Sequence, residues 1–259
     1  CPTMAVTLRD LLTNPPGKYS RQVGARYMLR DALTAKFRES LTDPNKRRKY
    51  SVSVSKKDDV FTVWVKVPSE KYDVVYDVVL RLQFDEGVRA VAGANVQLYC
   101  NSPGWVMPVG YVAATRELLI PGWEHALGRA ATEAPTTLNP TLEYGFDKTT
   151  YRAFLFATGP GGLVTQADLQ RASGGTPPNP RDPKLSAEAK LFEYNRAKDK
   201  YAAAAQVVKR AERVAKEEDA KRKRAESRNA RGTAKTAKVA ATAKRVRQAG
   251  NAARKKVSR

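Results

Sequence analysis

Lysine and arginine are the residues of this sequence with the clearest chemistry, because they are concentrated towards one end. The chain of 259 residues carries 47 Lys and Arg against 26 Asp and Glu, a formal net charge of +21. From residue 181 to the end there are 25 basic and 9 acidic residues, whereas residues 1–180 carry 22 and 17. This asymmetry is typical of a protein that binds a polyanion, most commonly nucleic acid. An acidic membrane and an acidic protein surface are the alternatives to nucleic acid as the partner.

The last 29 residues contain ten basic residues and no acidic or aromatic one. Such cations bind phosphates by releasing counterions, and they do not read bases. Stacking on single-stranded bases is not indicated, because no aromatic side chain lies among them. From the cluster KRKR onwards we predict nonspecific phosphate contacts by Lys221, Arg222, Lys223, Arg224, Arg228, Arg231, Lys235, Lys238, Lys244, Arg245, Arg247, Arg254, Lys255, Lys256 and Arg259. The alternative is a tail that only keeps the protein in solution.

No catalytic, cofactor-binding or metal-binding site is predicted. His125 is the one histidine, and alone it forms neither a His-pair metal site nor a conventional triad. The sequence has no P-loop motif, and GPGG at 159–162 precedes an ordinary turn. Cys1 and Cys100 are too few for a disulfide framework or a four-cysteine zinc site, and we expect Cys100 to be a small buried apolar residue. We therefore predict a protein that is not an enzyme and needs no cofactor.

The spacing of apolar residues predicts an α+β body over residues 4–172. A short amphipathic helix has Thr7 as its N-cap, and a longer helix follows Ser20. The period then changes to two, and five segments predict an antiparallel meander of about five strands: YSVSVS, VFTVWVKV, VVYDVVLRLQF, ANVQLYC and WVMPVGYVAA. Helices return in PGWEHALGRAA, after Asp147 and after Thr165, the last two residues being N-caps.

The composition changes after the body. Residues 173–183 are rich in Gly and Pro and predict a linker, whereas residues 184–230 are rich in Ala, Lys, Glu and Arg and predict one long helix. Residues 231–259 form a basic tail that we predict to be disordered when free and to fold on a polyanion. Heptad spacing on the helix indicates a seam for a partner helix, formed by Tyr194, Ala197, Tyr201, Ala204, Val208, Ala211 and Ala215.

Three short segments resemble those of poorly characterised virion structural proteins of tailed bacteriophages. They are YDVVLRLQF at 76–84, NSPGWVMPVGYVA at 101–113 and YGFDKTTYRAFLFA at 144–157, followed by a lysine-rich C-terminus. Those phage proteins share a Tyr-Asp-Val-Val strand, an Asn-Ser-Pro turn before a Tyr-containing strand, and a basic tail. The resemblance covers most of residues 4–157. It implies a component of the virion rather than an enzyme, and it brings no catalytic residues.

The leading hypothesis is therefore a structural protein of a phage virion, associated with the capsid, neck or tail. Its expected partners are other virion proteins, in an oligomeric assembly, and DNA or an acidic subunit surface. One alternative is a nucleoid- or RNA-associated protein of the bacterial cytoplasm, and another is a coiled-coil scaffold. No stretch is apolar over the length that a transmembrane helix needs. Cys1 and Met4 are both candidates for the first residue of the native protein.

Overall fold

The computed structural model describes residues 6–13, 30–139, 142 and 144–257. The chain divides into two units, Cys1–Asp199 and Lys200–Arg259. The first unit is longer than the predicted body of residues 4–172, and from here on we call the whole first unit the body. The body contains one antiparallel sheet with helices, so the predicted α+β class is confirmed. The longer helix expected after Ser20 is described only from Arg30 onwards, and its expected N-cap lies outside the described residues.

Four strands follow one another in the sheet in chain order: β1 (Ser51–Lys57), β2 (Val60–Pro68), β3 (Val75–Gln83) and β4 (Asn95–Cys100). All neighbours are antiparallel, as expected for a meander. Successive side chains of a strand point to opposite faces of the sheet. On β2, Phe61, Val63 and Val65 share one face and are all buried in the core. The β1–β2 hairpin turns at Asp58, whose φ of 53° is a left-handed conformation that Asp tolerates well.

The fifth predicted strand, WVMPVGYVAA, is wrong, because these residues lie in a helix (α4, Pro103–Thr115). Valine and tyrosine suggested a strand, but Trp105, Val109 and Val112 are spaced by four and three and are all buried, which is helical periodicity. Pro103 occupies the first turn, where its missing N–H costs no hydrogen bond. The sheet therefore has four strands, and the Asn-Ser-Pro turn starts a helix.

Shorter helices surround the sheet and fall in the order α1 (Leu8–Thr13), α2 (Arg30–Thr42), α3 (Pro44–Arg47), α5 (Glu124–Leu127), α6 (Lys148–Thr158) and α7 (Gln166–Ala172). The predicted caps at Asp147 and Thr165 are confirmed as capping boxes. Thr7 caps α1 in the same way, since its Oγ1 accepts a hydrogen bond from the Asp10 N–H at 3.1 Å. The helix expected from Pro121 is reduced to α5, because Gly122 adopts a φ of +83° just before it.

Asp147 joins the first turns of two helices. Its Oδ1 accepts a hydrogen bond from the Thr150 N–H of α6 at 2.8 Å, and its Oδ2 accepts one from the Ser102 hydroxyl, at the N-cap of α4, at 3.0 Å. The residue is buried, with 1% exposed. Because both helix N-termini favour a negative charge, this one carboxylate stabilises both.

We expect Asp147→Ala to lower the free energy of unfolding of the body by about 2 kcal/mol, since a cap and a buried hydrogen bond are lost together. Urea unfolding followed by tryptophan fluorescence measures this, because Trp64, Trp105 and Trp123 all belong to the body. Asp147→Asn keeps the cap acceptor and should lose less than half as much. Equal losses in the two variants would contradict the capping role.

The segment predicted as a linker begins against the sheet. The Gly175 N–H donates to the Val54 carbonyl oxygen at 2.8 Å, and a Cβ at Gly175 would meet that oxygen at 2.8 Å, so glycine is required by the close approach. Farther on, Leu185 is 2% exposed, and its carbonyl accepts a hydrogen bond from the Tyr99 hydroxyl. Residues on both sides of 183 thus contribute to the body.

The last helix, α8, runs over Ala187–Val257. It begins three residues later than the predicted long helix and extends over positions 231–257 of the predicted basic tail, whose disorder in the absence of a polyanion stays a prediction. Alanine, lysine and arginine have high helix propensities, which explains why the helix continues past Gly232. Among the described residues, no helix combines the length and apolar character needed to cross a membrane.

Candidate nucleic-acid interface

The second unit, Lys200–Arg259, carries most of the excess charge of the chain. It contains 20 Lys and Arg against 5 Asp and Glu, and no acidic residue follows Glu226. Every cationic side chain described in this unit is exposed to solvent. The helix thus presents a concentrated positive charge to water, which suits the binding of a polyanion.

Some of these cations are paired with acidic residues one turn away on the same helix. Arg222 contacts Asp219 at 2.6 Å and Glu226 at 4.0 Å. Lys223 contacts the other oxygen of Asp219 at 2.9 Å, and Arg213 contacts Glu217 at 3.7 Å. Spacings of three and four residues bring such pairs together on a helix. Half of the predicted KRKR cluster is therefore partly neutralised by its own chain.

Other cations of this unit have no such partner among the described residues, and three of them lie close together on the helix. Arg224, Arg231 and Lys238 are exposed, and among the described residues none of them forms an ion pair. The reason lies in the sequence, because no Asp or Glu occurs three or four residues before or after any of the three. Their full charge is available to an external anion.

These cations belong to a regular series on α8. The separations alternate between three and four residues, which keeps all the positions on one face of a helix. We call this series the cation line, and its members are Lys221, Arg224, Arg228, Arg231, Lys235 and Lys238. At 1.5 Å per residue it spans about 26 Å of helix. The six positions thus lie on one face of the helix over a distance somewhat shorter than one turn of B-DNA, which is about 34 Å.

The structure places the remaining predicted residues as follows. Lys244, Arg245 and Arg247 are exposed, and Arg245 lies seven residues after Lys238, on the same face as the cation line. Positions 254–256 are helical, while position 259 lies outside the described residues. The structure describes the side chains of neither Arg228 nor Lys235, so their membership of the line rests on their helical positions.

The residues of the predicted helix-partner seam differ in their contacts and in their exposure to solvent. Tyr194 packs edge-to-face on Tyr72, with 5.2 Å between the ring centroids, so its partner is in the body. Tyr201 and Val208 are 49% and 57% exposed. The remaining small residues at the seam positions 204, 211 and 215 are also exposed, whereas the one at 197 is half-buried.

Cys100 and His125, two further residues whose side chains could do chemistry, lie in different surroundings. Cys100 is fully buried, and burial raises the pKa of its thiol well above the usual value, so it remains protonated and unreactive. His125 is exposed on the short helix α5. Within the described ranges, no three His, Cys, Asp or Glu side chains are grouped as metal ligands.

Comparison with models of protein families, with curated proteins and with solved structures finds no match for this chain. The function of the cation line is therefore inferred from the charges and spacing of its own residues.

The cations of α8 can be recognised in the sequence, but their alignment was not predicted. Residues 231–259 were expected to be disordered, and a disordered segment has no defined face. The alternating separation of three and four residues between Lys221 and Lys238 was visible in the sequence, and it becomes meaningful once the helix continues to Val257. The separation of paired from unpaired cations could also be read from the positions of Asp and Glu.

Proposed function

We propose that this chain is a non-enzymatic structural component of a tailed-phage virion, and that its C-terminal helix binds the phosphates of packaged DNA. The observation that carries the DNA part is the cation line, in which Arg224, Arg231 and Lys238 are exposed and unpaired among the described residues. Cations without an internal countercharge gain most from a phosphate, because they give up no existing ion pair.

The arrangement favours binding that is independent of sequence. A B-DNA duplex carries one phosphate charge per about 1.7 Å of its axis, so the cation line meets many more phosphates than it has cations. Phosphate contacts position a protein on DNA without reading its bases. Alanine is the commonest residue between 224 and 245, and its methyl group offers no hydrogen bond to a base edge.

The virion part of the proposal rests on the resemblance of the three body segments to phage structural proteins. Two of them form neighbouring parts of the body, since YDVVLRLQF covers all but the first residue of β3 and YGFDKTTYRAFLFA covers all but the last residue of α6. A packed body of this kind suits contacts with other subunits, while the second unit supplies the charge for DNA.

Fluorescence anisotropy with two 30-base-pair duplexes of unrelated sequence tests how the DNA is bound. We expect the full chain to bind both with dissociation constants within about threefold of each other, because phosphates are common to every sequence. A preference of tenfold or more for one duplex would contradict phosphate-only recognition. A failure to bind either duplex at 50 mM salt would overturn the DNA part of the proposal.

Fractionation of phage particles tests the virion part separately. Particles are purified on a density gradient from lysates of cells that produce this chain, treated with nuclease and washed at high salt. We expect the chain to remain with the particles in a fixed ratio to the major capsid protein. Recovery of the chain only in the soluble fraction would favour the alternative of a cellular nucleic-acid-binding protein.

A further inference from the structure

One cleft in the body is lined by both charged and aromatic side chains. Its volume is about 540 Å³, within the usual range for sites that bind small ligands or side chains. The loop between β2 and β3, the first turns of α4 and α6, and one tyrosine of α8 form its walls. Its charged and aromatic lining includes Glu70, Tyr72, Tyr76, Lys148, Arg152 and Tyr194.

Arg152 lines this cleft although its side chain is almost completely buried, with 3% exposed. Its Nη1 donates to the Pro68 carbonyl oxygen at 3.2 Å, and its Nη2 donates to the Ser40 hydroxyl at 3.3 Å and to the Tyr50 hydroxyl. Its Nε is buried and has no hydrogen-bond partner in the part of the chain that the structure describes. A buried guanidinium with an unused donor is costly unless a further acceptor reaches it.

The charges around Arg152 do not balance. Glu70 is the carboxylate nearest to it, at 3.6 Å from Nη1, and the same carboxylate lies 3.7 Å from the Lys148 ammonium. The other acidic side chain in the cleft, Asp147, is already bonded to the N-termini of α4 and α6. Lys71 also lines the cleft, so its three cations and two carboxylates leave a formal net charge of +1.

The other walls are aromatic. Tyr72 and Tyr194 meet edge-to-face, and Tyr76 is largely buried beside them. Met107 lines the same cleft and is 48% exposed, although Trp105, Val106, Val109 and Val112 of the same helix are buried. Aromatic rings and a thioether provide an adaptable surface for an apolar group.

We propose that this cleft binds a single carboxylate attached to an aromatic or apolar group. The carboxylate would accept hydrogen bonds from Arg152 and pair with Lys148, and the apolar group would lie against the tyrosines. One surplus positive charge matches a monoanion, whereas a phosphate dianion would be repelled by Glu70 and Asp147. The same chemistry occurs at the C-terminus of a peptide chain and in a free aromatic acid.

The proposal does not depend on the cation line, and it predicts opposite effects of two substitutions. Lys148→Gln removes one cation and should weaken binding of the carboxylate about threefold. Glu70→Gln removes the internal carboxylate that competes for the same two cations, and should strengthen binding by about the same factor. Substitution of a residue with only a structural role would not increase the affinity for the ligand.

Lys57→Gln is the matched control, because it removes the same charge from an exposed lysine. Lys57 pairs with Val60 at one end of β2, whereas the cleft begins at Pro68, at the other end of this nine-residue strand. The two sites are thus separated by about 27 Å along the strand. We expect Lys57→Gln to leave binding unchanged.

The experiment is a titration of the full chain with N-acetylphenylalanine and with its uncharged amide, followed by ¹H–¹⁵N NMR spectra. We expect the acid to shift signals of residues around the cleft and the amide to bind at least about fivefold more weakly. Equal binding of acid and amide, or no shift with either, would overturn the proposal. If Glu70→Gln fails to fold, the comparison of acid with amide and the Lys148→Gln variant still test whether the cleft binds a carboxylate.

A second titration identifies the source of the carboxylate. N-acetyl-Ala-Ala-Phe carries the same terminal carboxylate on a longer peptide chain. Tighter binding of this peptide than of N-acetylphenylalanine supports a partner's C-terminus as the occupant, and equal or weaker binding supports a free aromatic acid. An inorganic phosphate titration that shifts the same signals at lower concentration than the acid would contradict the preference for a monoanion.

Discussion

Replacing Arg224, Arg231 and Lys238 together by glutamine should weaken binding to duplex DNA by about five-hundredfold at 0.1 M salt. Each of these cations is exposed and has no ion-pair partner among the described residues, so each is free to contact a phosphate. Losing one phosphate contact removes roughly one released counterion and close to a tenfold factor in affinity at this salt concentration. Anisotropy with a fluorescent 30-base-pair duplex measures the change.

The chain offers a matched control for this variant. Arg213, Arg222 and Lys223 comprise the same residue types and lie on the same helix, but each is paired with an acidic neighbour. Their replacement by glutamine removes the same total charge and should weaken binding less than about fivefold, because only screened, longer-range attraction is lost. Equal effects of the two triple variants would contradict the role of the cation line and leave net charge as the explanation.

Replacing Arg152 by methionine should lower the free energy of unfolding of the body by about 3 kcal/mol. The guanidinium is 97% buried and donates hydrogen bonds to the Pro68 carbonyl and to the Ser40 and Tyr50 hydroxyls. Methionine fills a similar volume but leaves these three acceptors without their donor, and it also removes the cation near the Tyr50 ring. Urea unfolding followed by tryptophan fluorescence measures the loss.

Lys148→Met is the control for this substitution, because Lys148 contacts the same Glu70 carboxylate as Arg152 does. Its side chain is 48% exposed, so water screens the interaction and the expected loss is below about 1 kcal/mol. A loss below 1 kcal/mol for Arg152→Met would show that its buried hydrogen bonds do not hold the body together.

Local sequence patterns predicted much of the body correctly. The alternation in β1 and β2 and the caps at Asp147 and Thr165 depend on residues close in the chain, so they could be recognised without the fold. The segment after Asn101 was misread because its β-branched residues favour a strand, while burial of Trp105 at helical spacing decides otherwise. Tertiary packing overrode local propensity there.

The candidate sites differ in how far the sequence could predict them. The cations of α8 and their pairing follow from spacing along one helix, which the sequence contains in full. The cleft does not, because Glu70 and Arg152 are 82 positions apart and meet only when α6 packs beside the end of β2. The surplus positive charge of the cleft depends on that packing, which brings Lys71, Lys148 and Arg152 together with only Glu70 and Asp147 among the described residues.

The salt dependence of DNA binding tests the central claim most directly. With six cations on phosphates, a plot of log K against log salt concentration should have a slope of about −5, and affinity should fall about a thousandfold between 50 and 200 mM salt. Replacing Arg224, Arg231 and Lys238 by glutamine should reduce the slope to about −3. A slope near zero for the unaltered chain, or the same slope for both, would contradict binding through the cation line.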